Sequence, residues 1–253
     1  MKIAVIYFPG NNCESETARA IKSSGMDVDI VRWNDSSNLS SYDGYVLPGG
    51  WAYEDRIRAG VIAAKDPVMN MVKEEAAKGK VVLGICNGAQ VLVETGMIPG
   101  IKDEVQMALA PNINPLVSGY YCTWVKVKNY SKKKTAFNLA MEPGEVLSVP
   151  IAHGEGRFTT KNPALIPELI QNDQLLFRYC DATGNIMDKF PVNPNGALIN
   201  IAGICNNKGN VCAMMPHPER SSWMRQVPEL HWKGEELGPG AKIFQSIREY
   251  LKK

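Results

Sequence analysis

The stretch Lys80–Gly96, KVVLGICNGAQVLVETG, decides how this chain is read. Its apolar, β-branched start is too short for a buried helix and predicts a strand ending at Cys86. Asn87 to Gly96 then predicts a helix. Cys86 therefore stands at a strand-to-helix corner, framed by Gly84 and Gly88. Such a G-x-nucleophile-x-G elbow lifts a reactive side chain clear of a sheet, and the glycines make room for neighbouring backbone. The N-terminus of the following helix favours a thiolate, and the N–H of Asn87 is placed to stabilise an oxyanion. An inert cysteine in an α/β core is the competing reading, and the paired glycines weigh against it.

Working outward, the first hundred residues alternate. IAVIYF, DVDIVRW and YDGYVLPGG read as strands. NNCESETARAIKSSG reads as a helix that stops at Gly25, and a second helix is capped by Asp66 with Pro67 at its first position. This order predicts an α/β fold with a mostly parallel open sheet and flanking helices. From about Val105 to Phe158 the pieces are short and β-like, as in YYCTWVKVKN and EVLSVPIAHG, and LLFRYC and VCAMMPHPER follow. GAKIFQSIREYL closes the chain as an amphipathic helix. With no Ser/Gly-rich linker and no repeat, residues 1–253 read as one domain with a β-rich elaboration.

Composition narrows the function. The chain has 253 residues, 45% of them hydrophobic and 21% charged, enough apolar surface for a real core. A net charge of +2 leaves no electrostatic footprint for nucleic acid or an anionic membrane. The six cysteines, Cys13, Cys86, Cys122, Cys180, Cys205 and Cys212, form no C-x-x-C pair, so their spacing suggests neither zinc nor a dithiol redox site. No run reaches the ~18 apolar residues of a membrane span, and the start lacks the parts of a signal peptide. The expected compartment is the cytoplasm, with thiols reduced.

A thiolate that cleaves an amide needs a proton donor for the leaving group, usually a histidine held by a carboxylate. His217, in MPHPER, has Glu219 two residues on, and in extended backbone both side chains can face one way. His153, in PIAHGEGR, has Glu155 at the same spacing, so the residues leave the two histidines as rivals. His231 lies in a polar stretch and is expected to be exposed. In VLPGGW, Gly49 or Gly50 could bring a second backbone N–H to the oxyanion.

The ordered set PGG, GICNGAQ and HPER resembles the class I glutamine amidotransferases, whose fold is flavodoxin-like. YFPGNNC, PGGWAYEDRIRAG and PIAHGEGR extend the resemblance over nearly the whole chain, to glutaminase subunits of de novo purine synthesis. The resemblance implies a triad of Cys86, His217 and Glu219, which decides between the histidines. It implies glutamine hydrolysis through a glutamyl thioester, with Gln90 helping to bind glutamine. It further implies delivery of ammonia to a large synthetase subunit, a small accessory subunit in the same complex, and His153 and Arg157 near the synthetase interface. No cofactor or metal is expected on this chain, and ATP and magnesium belong on the synthetase partner. A cysteine-elbow hydrolase would need only the corner at Cys86, and another class I glutaminase should lack PGNNC and PIAHGEGR. The five other cysteines are expected to tolerate replacement.

Overall fold

The computed structural model describes residues 1–253 except 36, 103, 117 and 229–235. His231 lies outside the described residues. In chain order the elements are β1 (Lys2–Tyr7), α1 (Glu14–Ser23), β2 (Asp27–Arg32), β3 (Gly44–Leu47), α2 (Val61–Ala64), α3 (Pro67–Ala77), β4 (Val81–Ile85) and α4 (Asn87–Glu94). They continue with β5 (Ala108–Ala110), β6 (Tyr121–Asn129), β7 (Val146–His153), β8 (Arg157–Thr159), α5 (Leu165–Gln171), β9 (Leu175–Cys180), β10 (Ile201–Cys205), β11 (Val211–Met214) and α6 (Ala241–Leu251).

Nine strands form one sheet in the order β2-β1-β3-β4-β11-β10-β9-β6-β7. From β2 to β11 every pairing is parallel, and from β11 to β7 every pairing is antiparallel. The parallel strands are continuous apolar runs because both faces are covered: all residues of β3, β4 and β11 are buried. The β-rich middle of the chain is thus no separate layer. It prolongs the same sheet, and β5 and β8 add a small two-stranded ladder. Helix α5 and strand β10 were not foreseen from the sequence.

In hydrogen-bond order β7 is four strands from β11, about 19 Å if the sheet were flat. Yet the N–H of His217, just past β11, donates to Pro150 O of β7 at 2.8 Å. The antiparallel half therefore curls back over the C-terminal ends of the parallel strands. This curl builds the site, because it sets the end of β7 against the corner after β4.

Helix starts follow local chemistry. Asp66 caps α3, its carboxylate accepting from Val68 N at 3.1 Å, with Pro67 at the first helical position. At the decisive corner, a Cβ on Gly88 would lie 2.0 Å from Leu47 O, so only glycine lets α4 pass the end of β3. Among the described residues no helix is long and apolar enough to cross a membrane.

Candidate active site

Cys86 caps the N-terminus of α4 with φ 50° and ψ −106°, a conformation costly for any residue with a Cβ. Its N–H donates to Met214 O at 2.8 Å, which ties the elbow to β11. The thiol lies 3.5 Å from Ala152 O of β7 and is 6% exposed. Strain held by strand pairing on one side and helix on the other is what a nucleophile elbow requires.

His217 faces this thiol. Its ring lines the same cleft as Cys86, close enough to feel that sulfur's charge, and its Nδ1 lies 2.5 Å from Glu219 Oε1. Glu219 is fully buried, at the start of a 3₁₀ turn that begins with Pro218. Burial by itself would lower the His217 pKa, but the Glu219 carboxylate and the Cys86 sulfur outweigh it and raise it well above the ordinary value. The ring is thereby suited to carry a proton opposite a thiolate. Its Nε2 is buried and has no hydrogen-bond partner.

The rival histidine lines the same cleft in a different state. His153 Nδ1 is 3.0 Å from Asn112 Oδ1, an oxygen that also accepts from Gly156 N at 3.1 Å. Asn112 Nδ2 donates to His153 O and Gly119 O, which fixes the amide's orientation. An acceptor at Nδ1 makes that nitrogen the protonated one. Burial holds the His153 pKa down to about 3, and the nearby His217 pushes the same way, so the ring is neutral. Arg157 is half-buried, with Nε donating to Pro111 O at 2.9 Å.

The loop after β3 forms the opposite wall. Gly49 O accepts from Asn12 N at 3.3 Å, Cys13 N at 3.4 Å and the Asn11 amide at 3.4 Å. The peptide is trans, so the Gly50 N–H points away from those donors. The N–H of Asn87, first in α4, has no intrahelical acceptor. The Asn87 side chain is a strut: it accepts from Ala52 N at 2.9 Å and donates to Asp55 at 2.9 Å and Gln90 at 2.8 Å. Gln90 in turn donates to Glu155 O at 2.8 Å, so much of its capacity is spent inside the wall.

Several cleft residues were not singled out by sequence reasoning. Asp55 stands on a run of non-glycine left-handed residues, Tyr53, Glu54 and Asp55, followed by Ile57. Burial lifts its pKa to about 6, and the neighbouring Glu155 carboxylate adds to the lift against the Asn87 hydrogen bond. One oxygen of Glu155 is buried with no partner. Trp51 and Tyr120 stack at 5.9 Å and line the cleft with half-exposed rings. Cys13, expected from sequence to tolerate replacement, lies against His217 and accepts from Arg220 Nη2 at 3.0 Å. The motifs PGGWAYEDRIRAG and PGNNC contained Asp55 and Cys13, but no spacing rule distinguished them.

The cleft encloses ≈ 230 Å³, below the roughly 300–1,000 Å³ of sites for drug-sized ligands, which suits a single amino acid. Among the described residues, Cys13, His217 and Glu219 present ligand atoms within 4.8 Å of one another, a spacing that could hold a metal ion. The 2.5 Å contact between His217 and Glu219 already engages two of the three.

A family model described as a CobB/CobQ-like glutamine amidotransferase domain matches residues 1–251. A phosphoribosylformylglycinamidine synthase subunit PurQ from Methanothrix thermoacetophila is 48% identical, over 99% of this chain and 98% of the relative. The PurQ subunit of Pyrococcus horikoshii is 42% identical over the full length of both chains. A chain in the structure of PurLQS from Thermotoga maritima superposes with a TM-score of 0.77 at 32% identity, covering 99% of this chain and 98% of that one.

Proposed function

The chain belongs to the CobB/CobQ-like glutamine amidotransferases and, among them, to the PurQ subunits of phosphoribosylformylglycinamidine synthase, and from this premise we propose that its cleft hydrolyses glutamine for a synthetase partner. The observation that carries the reading is the buried series Cys86, His217, Glu219 at a strained strand-to-helix corner.

In the proposed reaction the Cys86 thiolate attacks the side-chain amide carbon of glutamine. The N–H groups of Gly50 and Asn87, with Gly49 shaping the turn, receive the oxyanion. His217 Nε2 gives its proton to the departing amine, and ammonia leaves behind a glutamyl thioester. His217 then takes a proton from water, which releases glutamate. Glu219 fixes the ring and stabilises its charged form throughout. At the other end of the cleft, burial and the neighbouring Glu155 carboxylate raise Asp55, and the substrate's α-ammonium set beside the two carboxylates would relieve that lift. Gln90 and Asn87 hold that acidic wall at a fixed distance from the nucleophile.

Ammonia passes to a large synthetase subunit, which converts formylglycinamide ribonucleotide to its amidine with ATP and magnesium, and a small accessory subunit completes the complex. The compartment proposed is the cytoplasm.

The test is Cys86→Ala in the reconstituted complex. Glutamine-dependent synthesis should vanish while ammonia-dependent synthesis continues, because only amide hydrolysis needs the thiolate. Glutamate release by Cys86→Ala at near-native rates would refute the assignment.

A further inference from the structure

The cleft holds a second sulfur that the hydrolysis does not use. Cys13 stands at the N-terminus of α1, one residue before Glu14, and is 1% exposed on its own account, but it lines the same cleft as Cys86. Its environment is built from several sides. The thiol donates to Asn12 Oδ1 at 3.2 Å and accepts from Arg220 Nη2 at 3.0 Å, while Arg220 Nε is held by Glu16 at 2.6 Å. Its sulfur also lies within 4.8 Å of a His217 ring nitrogen, on the ring that faces Cys86.

Gly49 is where the two cysteines approach one another. A Cβ there would sit 3.2 Å from Cys13 Sγ, 2.8 Å from His217 Cε1 and 3.5 Å from Cys86 Cβ. The bare Cα of Gly49 is thus what lets both cysteine side chains and the imidazole crowd one point. Both cysteines line the one cleft, beside the same imidazole.

We propose that Cys13 is a resolving thiol: when a peroxide oxidises Cys86, Cys13 closes a reversible disulfide with it and spares the nucleophile from over-oxidation. This rests on the reading of Cys86 as the reactive thiolate. In the first step the Cys86 sulfur attacks one peroxide oxygen, an S–O bond forms and the O–O bond breaks. The sulfur is oxidised by two electrons to sulfenic acid, and the displaced hydroxide is protonated to water. In the second step His217 Nε2 takes the Cys13 proton, and the Cys13 sulfur attacks the sulfenic sulfur. The S–S bond forms, the S–O bond breaks, and the hydroxide leaves as water with the proton held by His217. Burial raises the Cys13 pKa, with His217 and Arg220 acting against it, so this thiol stays protonated and quiet until a sulfenic acid appears beside it.

The experiment treats the full-length chain with a small excess of hydrogen peroxide, then maps disulfides and oxygen adducts by peptide mass spectrometry before and after dithiothreitol. Labelling of Cys86 by a chloroketone analogue of glutamine reports the nucleophile independently. The expected result is a Cys13–Cys86 linked peptide, loss of labelling, and full recovery of labelling after reduction. In Cys13→Ser the same treatment should carry Cys86 to the sulfinic or sulfonic acid, with labelling not recovered. Over-oxidised Cys86 in the native chain without the linked peptide would overturn the proposal. So would a disulfide from Cys86 to Cys122 or Cys180, or equal recovery in Cys13→Ser. If Cys86 takes neither peroxide nor the analogue, the failure lies with the nucleophile assignment instead.

Discussion

His217 and His153 stand in near copies of one pattern, His-x-Glu, and each is 2% exposed in the same cleft. Each also has a buried Nε2 without an assigned hydrogen-bond partner. They differ in what meets Nδ1: a carboxylate for His217, an amide oxygen for His153. The consequence is opposite titration, with one ring raised well above the ordinary value and the other lowered to about 3. Burial is common to both, so burial does not make the base. The difference comes from the backbone. Pro218 starts a tight turn that folds Glu219 back onto its histidine, whereas β7 ends at His153 and the chain bends through Gly154, which sends Glu155 toward Asp55.

The largest expected effects fall on His217 and its carboxylate. Glu219→Gln should cut the rate of glutamine hydrolysis by about 10⁴, the loss seen when a comparable orienting carboxylate becomes an amide. His217→Asn should remove thioester formation altogether. His153→Gln should still form the thioester, detected by acid quench and mass spectrometry of Cys86. If the two histidine variants behaved alike, the distinction drawn from Nδ1 would fail.

A smaller effect is expected in acid stability. The folded His153 pKa of about 3 lies below its ordinary 6.5, so the unfolded chain binds the extra proton between those values. The stability this ring contributes is complete above pH 6.5 and is lost as pH falls toward 3, with an upper bound of about 5 kcal/mol by the standard conversion. Urea unfolding at pH 7 and pH 5 should show a steeper acid loss in the native chain than in His153→Gln. Equal slopes would mean that the ring is not held neutral by the fold.

The smallest effect concerns Glu155's other neighbour. Asp55 titrates at about 6, and its ionised form is the one that would receive an ammonium. The KM for glutamine should therefore rise as pH falls through about 6. Asp55→Asn should raise KM at neutral pH and flatten that limb. An unchanged pH dependence in the variant would remove Asp55 from substrate recognition.

Much of this was legible in the sequence because local rules governed it. The corner at Cys86 is written in a short apolar run, two glycines and a helix start, all within Lys80–Gly96. The α/β order of the first hundred residues and the closing helix follow from periodicity and capping. What was not legible depends on long-range geometry. Nothing local says that β7 curls back to meet β11, so the residues alone left His153 and His217 as rivals. The partner that separates them, Asn112, is 41 residues from His153. The left-handed run at Tyr53, Glu54 and Asp55 carries no glycine to signal it, so Asp55 gave no sign of its place in the cleft. Cys13 was set aside for the same reason: its partner Arg220 is 207 positions away.

The most direct measurement is the ring titration of the histidines by NMR, with His153→Gln and His217→Asn assigning two of the chain's three imidazoles. His217 should stay protonated well above pH 6.5, and His153 should remain neutral, with its proton on Nδ1, down to about pH 3. Glu219→Gln should return His217 to a lower pKa while leaving His153 unmoved. A His153 that gains its proton near pH 6.5, beside a His217 already neutral there, would contradict the assignment of His217 as the partner of Cys86.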